Sequence, residues 1–238
     1  MEPMFSVVIP TLNEEKNIAH CILALRNQDY EEKYEIIVAD GMSKDNTIKI
    51  AKRYADKVIQ VRKKGISVGR NAGAKVARGR ILLFVDADTL ATPNLLTELS
   101  KAFRRKDVVG ATCYVFPLST EIGYQLFLFF YNQFVKASVK TKTPQVGGMC
   151  CAYRKDSFER VGGFDENLRT VEDLDLSKRI AKLGKIKFVE NTFVLTSMRR
   201  IKKWGKIKAV KKHIVNYFKF LLKYKPYSTK EWRPIRSY

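Results

Sequence analysis

The chain has 238 residues, 45% hydrophobic and 29% charged, which is enough to bury a sizeable core and too apolar for a disordered chain. Lys and Arg number 45 against 24 Asp and Glu, and the net charge of +21 calls for an anionic partner: a phosphorylated ligand, an anionic lipid or a nucleic acid. The most apolar run, residues 122–135, is broken by Gln125, Asn132 and Gln133 and falls short of the ~20 apolar residues that a membrane-spanning helix needs.

FSVVI (5–9) is a short apolar run ending at Pro10 and reads as a first strand, followed by a helix over 15–26. EIIVA (35–39) is a second strand ending at Asp40-Gly41, and Ser43 or Asp45 caps a helix reaching residue 54. A third strand covers 57–61, and Ser67 caps a helix to Arg78 with Gly79 as its stop. ILLFV (81–85) is a fourth strand that runs directly into Asp86-Ala87-Asp88. These strands start 22 to 30 residues apart, which is βαβ spacing, and their continuous apolar runs suit strands covered on both faces. The pattern predicts an α/β fold: a doubly wound, mainly parallel sheet with helices on both faces. A ligand belongs beyond the carboxyl ends of such strands, where residues 10–14, Asp40 and the Asp86-Ala87-Asp88 turn all fall.

After Thr92-Pro93 the pattern loosens. A helix covers 94–104, a strand lies near 108–116, a helix spans 121–136, and a Gly-Gly segment occupies 146–153. A further helix over 172–183 is ended by Gly184. The one shift in composition is near Arg199: residues 199–238 carry 14 Lys and Arg and one acid, Glu231, so +13 of the +21 sits in the last 40 residues. The expected organisation is a body over 1–205, with a nucleotide-binding half (1–90) and an acceptor half (91–205), and a basic amphipathic tail over 206–238. The cysteines Cys21, Cys113, Cys150 and Cys151 have no zinc spacing, and the start MEPMFSVVIP lacks a basic, apolar leader, so the expected location is the reducing cytoplasm.

Two carboxylates two residues apart at a strand end, Asp86 and Asp88, can hold a hard divalent cation that in turn binds a diphosphate; two such acids otherwise make a solvated turn. Asp40 either closes an Asx-turn or accepts a hydrogen bond from a base N–H. Arg70 lies in the small-residue helix GISVGRNAGAKVARG and is either an exposed helix residue or a phosphate partner. Glu172 and Asp173 open a helix, where acids favour the dipole and where one carboxylate can serve as general base. Gly147 and Gly148 permit close backbone approach beside an acceptor site.

Six segments in this order, SVVIPTLNEE, DGMSKDNT, GRNAGAKVARG, FVDAD, GGMCCAYRKDSFERVGGFDE and VEDLDLSKRI, resemble the family 2 glycosyltransferases of the GT-A fold over about residues 5–205. The run VLTSMRRIKKWG also looks like the TSxRR segment of a small soluble subgroup. The resemblance implies that Pro10, Leu12, Glu14 and Asp40 line a nucleoside pocket and that Arg70 lies near the base or diphosphate. It implies that Asp86 reaches the ribose or a metal-bound water, that Asp88 with Asp86 binds Mn2+ or Mg2+, and that Asp173 is the base of an inverting displacement. Arg199 and Arg200 would neutralise the departing nucleoside diphosphate, and Gly147, Gly148 and Glu172 would border the acceptor. Many relatives supply a late His to the metal; here His20 lies in an early helix and His213 in the tail, so water and phosphate complete the shell or the arginines take over part of that role.

From Lys206 to Tyr224 apolar residues recur at three and four, with lysines mainly off that face, as in an interfacial helix on anionic lipid or a helix packed on the body. The aromatic helix over 121–136 reads as core, as a homo-oligomer interface or as a second membrane contact. The leading expectation is a nucleotide-sugar glycosyltransferase peripheral to the inner face of the cell membrane, acting on a lipid-linked or envelope acceptor. A soluble enzyme with a small-molecule acceptor is the alternative, and nucleic-acid binding, which leaves acids at three strand ends unexplained, is remote.

Overall fold

A computed structural model describes residues 4–168 and 170–205; the expected amphipathic helix beyond Gly205 lies outside the described residues. The expected parallel units form. β1 (Phe5–Thr11), α1 (Ile18–Arg26), β2 (Tyr34–Asp40), α2 (Thr47–Tyr54), β3 (Lys57–Gln60), α3 (Ile66–Lys75) and β4 (Ile81–Val85) alternate in sequence. β5 (Thr89–Ala91), α4 (Leu95–Phe103), β6 (Val108–Pro117), α5 (Ile122–Ser138), β7 (Cys150–Arg154), α6 (Lys155–Arg160), α7 (Glu172–Ile180), β8 (Lys185–Thr196) and α8 (Arg199–Trp204) follow.

Among the described residues all strands join one eight-stranded sheet in the order β3-β2-β1-β4-β7-β6-β8-β5. The pairings β3–β2, β2–β1, β1–β4 and β6–β8 are parallel. β7 is antiparallel to both β4 and β6, as is β5 to β8, so the second half of the chain continues the same sheet with mixed polarity. The chain leaves β1 for β2 on one side and returns to β4 on the other, and the carboxyl ends of β1 and β4 flank that reversal, where α/β sheets bind ligands.

Alternation along the strands divides the core. Phe5, Val7 and Ile9 of β1 join Ile22, Leu25, Leu95, Leu99 and Leu128 on one face, whereas Val8 joins Ala74, Phe158, Leu176 and Ile180 on the other. Helices α1, α4 and α5 therefore cover one face, and α3, α6 and α7 cover the other. All of β4 is buried, as its unbroken apolar run requires.

Four details differ from the sequence reading. α1 begins at Ile18 rather than residue 15, because the Glu14 carbonyl accepts the Asn17 and Ile18 N–H groups in a turn ahead of it. Ser67 does not cap α3: it sits in the first turn with a buried hydroxyl, and Gly65, at φ 142°, is the N-cap. α3 ends at Lys75, not Arg78, because the Arg78 N–H donates to the buried Glu35 carboxylate (2.6 Å) and the Gly79 N–H to Ser6 Oγ (2.7 Å). Gly79 is thus less a helix stop than a close approach, since a Cβ there would lie 2.5 Å from the backbone nitrogen of Ser6. Finally, β5, α6 and β8 were not expected, and the Gly-Gly segment leads into a core strand, β7.

Candidate active site

The parallel register sets Thr11 beside Asp40, so the ends of β1 and β2 close together. Thr11 Oγ1 donates to Asp40 Oδ1 (2.9 Å) and the Ser43 N–H to Asp40 Oδ2 (2.8 Å), with the Ser43 hydroxyl also on Oδ1. Asp40 is fully buried beneath this Asx-type turn. Leu12 lies half-buried over Gly41, and Pro10 packs against Gly69 of α3.

Beyond β1, Glu14 is anchored by its own N–H, which donates to Thr47 Oγ1 (2.7 Å). Its carboxylate accepts Asn17 Nδ2 (2.8 Å) and is gripped through both oxygens by the Arg199 guanidinium, with Nη1 to Oε2 at 2.9 Å. Arg199 Nε also meets Asp88 Oδ2 at 3.0 Å. One guanidinium therefore bridges a residue after β1 and a residue after β4. β8 delivers it: Thr196 pairs with Thr89 of β5, and the Ser197 N–H donates to the Asp88 carbonyl (3.2 Å), which turns the chain into α8 with Arg199 and the exposed Arg200. Burial pushes the Asp88 carboxyl up to about 6; Arg199 opposes this, while the Asp86 and Glu14 charges reinforce it.

A second cluster is organised by Arg70. The residue is 1% exposed, not the exposed helix residue that is one reading of the sequence. Nη2 donates to Asp86 Oδ1 (2.9 Å) and to the Gly148 carbonyl (3.1 Å), Nη1 donates to Glu172 Oε1 (3.0 Å), and the guanidinium stands 5.1 Å from the centre of the Phe164 ring. Burial disfavours its charge, but Asp86 and Glu172 outweigh that and hold the proton firmly. Burial and the neighbouring Asp173 push the Glu172 carboxyl up against the pull of Arg70.

Asp173 is held differently. Its Oδ2 accepts the Gly148 N–H (2.7 Å) and its Oδ1 the Leu174 N–H (2.9 Å), and burial raises its pKa in spite of Arg70 and these donors. Val171, just before α7, has φ 59°, a strained conformation for a β-branched residue. Gly148 is forced to be small, because a Cβ would enter the Arg70 guanidinium, and at Gly147 it would strike the Tyr131 hydroxyl.

The structure thus gathers Glu14, Asp86, Asp88, Arg199 and Arg200 into one cluster and Arg70, Asp86, Gly148, Glu172 and Asp173 into a second, with Asp86 near both. Asp40 stands apart under its own turn. Among the described residues no group of three or more His, Cys, Asp or Glu is set as a metal shell. The donors present are nonetheless of the right kind: Asp86 and Asp88 offer hard carboxylate oxygens, and burial, with Asp86 and Glu14 adding to it, makes the Asp88 charge costly in a way that a cation would relieve. Sequence reasoning missed Tyr131, Phe164 and the strand β8 that positions Arg199. The alternation of KIKFV at the start of β8 was a strand signal. Phe164 and Tyr131 left no sequence signal, as they reach the site from segments distant in the chain.

Comparison with known proteins bears on the family and the fold. The profile described as Glycosyl transferase family 2 matches residues 6–162. The glycosyltransferase AglE of Haloferax volcanii is 29% identical over 192 residues, 76% of this chain and 62% of that protein. Among solved structures, the mannosyltransferase PcManGT from Pyrobaculum calidifontis, in complex with GDP-Man and Mn2+, superposes with a TM-score of 0.75 at 22% identity over 94% of this chain and 65% of that one. TarS 1–349 of S. aureus in complex with UDP-GlcNAc gives 0.67 at 22% identity over 83% and 58%. The chain spans about three fifths of the length of these relatives.

Proposed function

The chain belongs to glycosyl transferase family 2, and on that premise we propose that it moves a sugar from a nucleoside-diphosphate sugar to an acceptor hydroxyl with inversion, peripheral to the inner face of the membrane, on a lipid-linked or envelope acceptor. The observation that carries this reading is the Arg70 junction, which ties Asp86, on the loop after β4, to Glu172 and Gly148 beside Asp173. A donor at the strand ends and an acceptor at the start of α7 then meet across one rigid link.

Asp173 is the base. It is fixed by two backbone N–H groups, and its raised pKa makes it the stronger proton acceptor toward an attacking hydroxyl. Attack at the anomeric carbon expels the nucleoside diphosphate from the opposite side, so the configuration inverts. Arg199 and Arg200 face the charge that grows on the leaving group. Asp86 and Asp88 would hold Mn2+ or Mg2+, which supplies Lewis-acid stabilisation of the diphosphate. Arg199, which in this structure bridges Glu14 and Asp88, would then turn toward phosphate. Pro10, Leu12 and the turn around Asp40 border the space for the nucleoside. The peripheral location rests on the basic composition of residues 199–238 and on no helix among the described residues being long and apolar enough to cross a membrane.

A thermal-shift screen of UDP-, GDP- and dTDP-sugars with and without Mn2+ tests the proposal. A cognate donor at a hundredfold excess over its Kd stabilises the native state by ~2.7 kcal/mol. A chain of this size should then melt roughly 5–10 °C higher. A flat response to every donor would remove the basis for the reading.

A further inference from the structure

α5 carries a feature that nucleotide-sugar chemistry leaves unused. Its inner side is packed: Tyr124, Leu128, Asn132 and Val135 are buried, and the Asn132 amide pins the helix to β6 by accepting the Val115 N–H (3.0 Å) and donating to the Val115 carbonyl (2.9 Å). Its outer side is apolar and open. Ile122 is 76% exposed, Leu126 53%, Phe129 52% and Phe130 67%, and the spacing sets them on one stripe. Isolated exposed apolar residues need no explanation; four on one helix face do.

The chemistry around the stripe selects its occupant. Glu121 stands just before the stripe and Lys136 near its carboxyl end pairs with Glu190, while residues 122–144 contain no Asp or Glu and Lys140 and Lys142 follow the helix. The whole chain carries +21, so a second copy would bring like charge against like, whereas an anionic surface is attracted. Size points the same way. A helix of 17 residues is ~25 Å long and ~10 Å wide, which offers roughly 250 Å2, against the ~800 Å2 per partner of a stable protein interface. An apolar stripe that leads into lysines on a strongly basic chain is what lies along the boundary of headgroups and acyl chains.

We propose that the outer stripe of α5 is a bilayer-docking surface that enters the acyl boundary of an anionic membrane, and that the acceptor is therefore one anchored in that membrane. The second clause rests on the glycosyl-transfer reading; the first does not. The two are joined by Tyr131, on the same helix, whose hydroxyl closes on Gly147, next to the Gly148 N–H that holds Asp173. Docking through α5 sets the acceptor side of the site within about one helix diameter, ~10–12 Å, of the lipid. A lipid-linked acceptor then needs to lift only its headgroup.

The test uses the full chain. All four native cysteines are buried, so Phe130→Cys can be labelled selectively with the environment-sensitive dye NBD. With vesicles of phosphatidylcholine and phosphatidylglycerol the label should brighten and shift to the blue, and with phosphatidylcholine alone the response should be weaker. The double variant Leu126→Gln/Phe130→Glu should need about tenfold or more lipid for half-sedimentation, while its melting temperature and donor-induced thermal shift stay at parental values. An NBD signal unchanged on sedimenting protein, a double variant that sediments like the parent, or a parent that ignores vesicles would each overturn the proposal. So would a parental dimer that the double variant dissociates, since the stripe would then join two copies. Docking without any donor response would leave the lipid surface standing and remove the glycosyl-transfer reading instead.

Discussion

Replacing Arg70 with Met tests whether one buried cation holds the two halves of the site together. Met keeps the apolar stem and contact with Phe164 but removes the charge that Asp86 and Glu172 share. Asp86 and Glu172 are 27% and 10% exposed, so their carboxylates lose an ion pair while still largely out of water. Breaking a buried pair from one side costs ~3–5 kcal/mol, because the remaining charge is left uncompensated. For a chain of this length that is a fall in Tm of roughly 6–20 °C. The loss has a pH signature. The Glu172 pKa is already raised from 4.5 to about 7 with Arg70 present, so the native state takes up a proton as pH falls from 7 towards 4.5, and stability from this group declines as pH rises through that window. Without Arg70 the shift grows. At pH 8 the variant must then bury an unpaired charge or bind a proton, whereas at pH 5 Glu172 is neutral in both proteins. Thermal denaturation at pH 5 and pH 8 should therefore show a larger deficit at pH 8, and Arg70→Met/Glu172→Gln should recover part of it. An equal deficit at both values, or none at pH 8, would show that Arg70 is not what neutralises Glu172.

Asp88→Ala should weaken donor binding in the presence of Mn2+ and leave metal-free binding less changed, as read by calorimetry with whichever nucleotide sugar gives the largest thermal shift. Because the Asp88 carboxyl titrates at about 6, metal-supported binding in the parent should fall as pH drops below 6, and unchanged affinity from pH 7 to pH 5 would count against Asp88 as a ligand. Asp173→Asn keeps the contact with the Gly148 N–H but removes the proton acceptor, so turnover should drop by ~10²–10⁴ with donor affinity retained; normal turnover would place the base elsewhere. Removing residues 206–238 takes away ten basic residues, each worth about 1 kcal/mol near an anionic surface. Vesicle binding should weaken and lose most of its salt dependence while donor binding survives; unchanged binding would assign the attraction to the body alone.

The first half of the fold was legible because its signals are local. Each of β1, β2 and β4 is an apolar run that stops at a proline or an aspartate, and that punctuation alone located Pro10, Asp40 and Asp86 at neighbouring strand ends. The second half was harder because its strands are held by partners far along the chain. β5 has three residues and exists because β8 pairs with it at Thr89–Thr196, Leu90–Leu195 and Ala91–Val194. No property of TLA in isolation marks it as a strand, yet that pairing is what carries Arg199 to Glu14 and Asp88.

The same distinction separates the parts of the site. Asp86 and Asp88 could be read as a pair because their chemistry and their proximity are both local. Arg70 could not, since its partners lie 16, 78 and 102 residues away and nothing within GISVGRNAGAKVARG says which way its side chain points. A guanidinium is buried only when enough negative charge awaits it, and that charge comes from two segments, after β4 and at the start of α7, that meet after the sheet has formed. The glycines record the event more faithfully than the arginine does. Gly148 has ordinary backbone geometry and is required because any side chain would occupy the place of the Arg70 guanidinium. Gly148→Ala should therefore reproduce much of the Arg70→Met phenotype, including the larger deficit at pH 8, and a variant that melts like the parent would mean that the guanidinium can move aside and that the junction is softer than these distances imply.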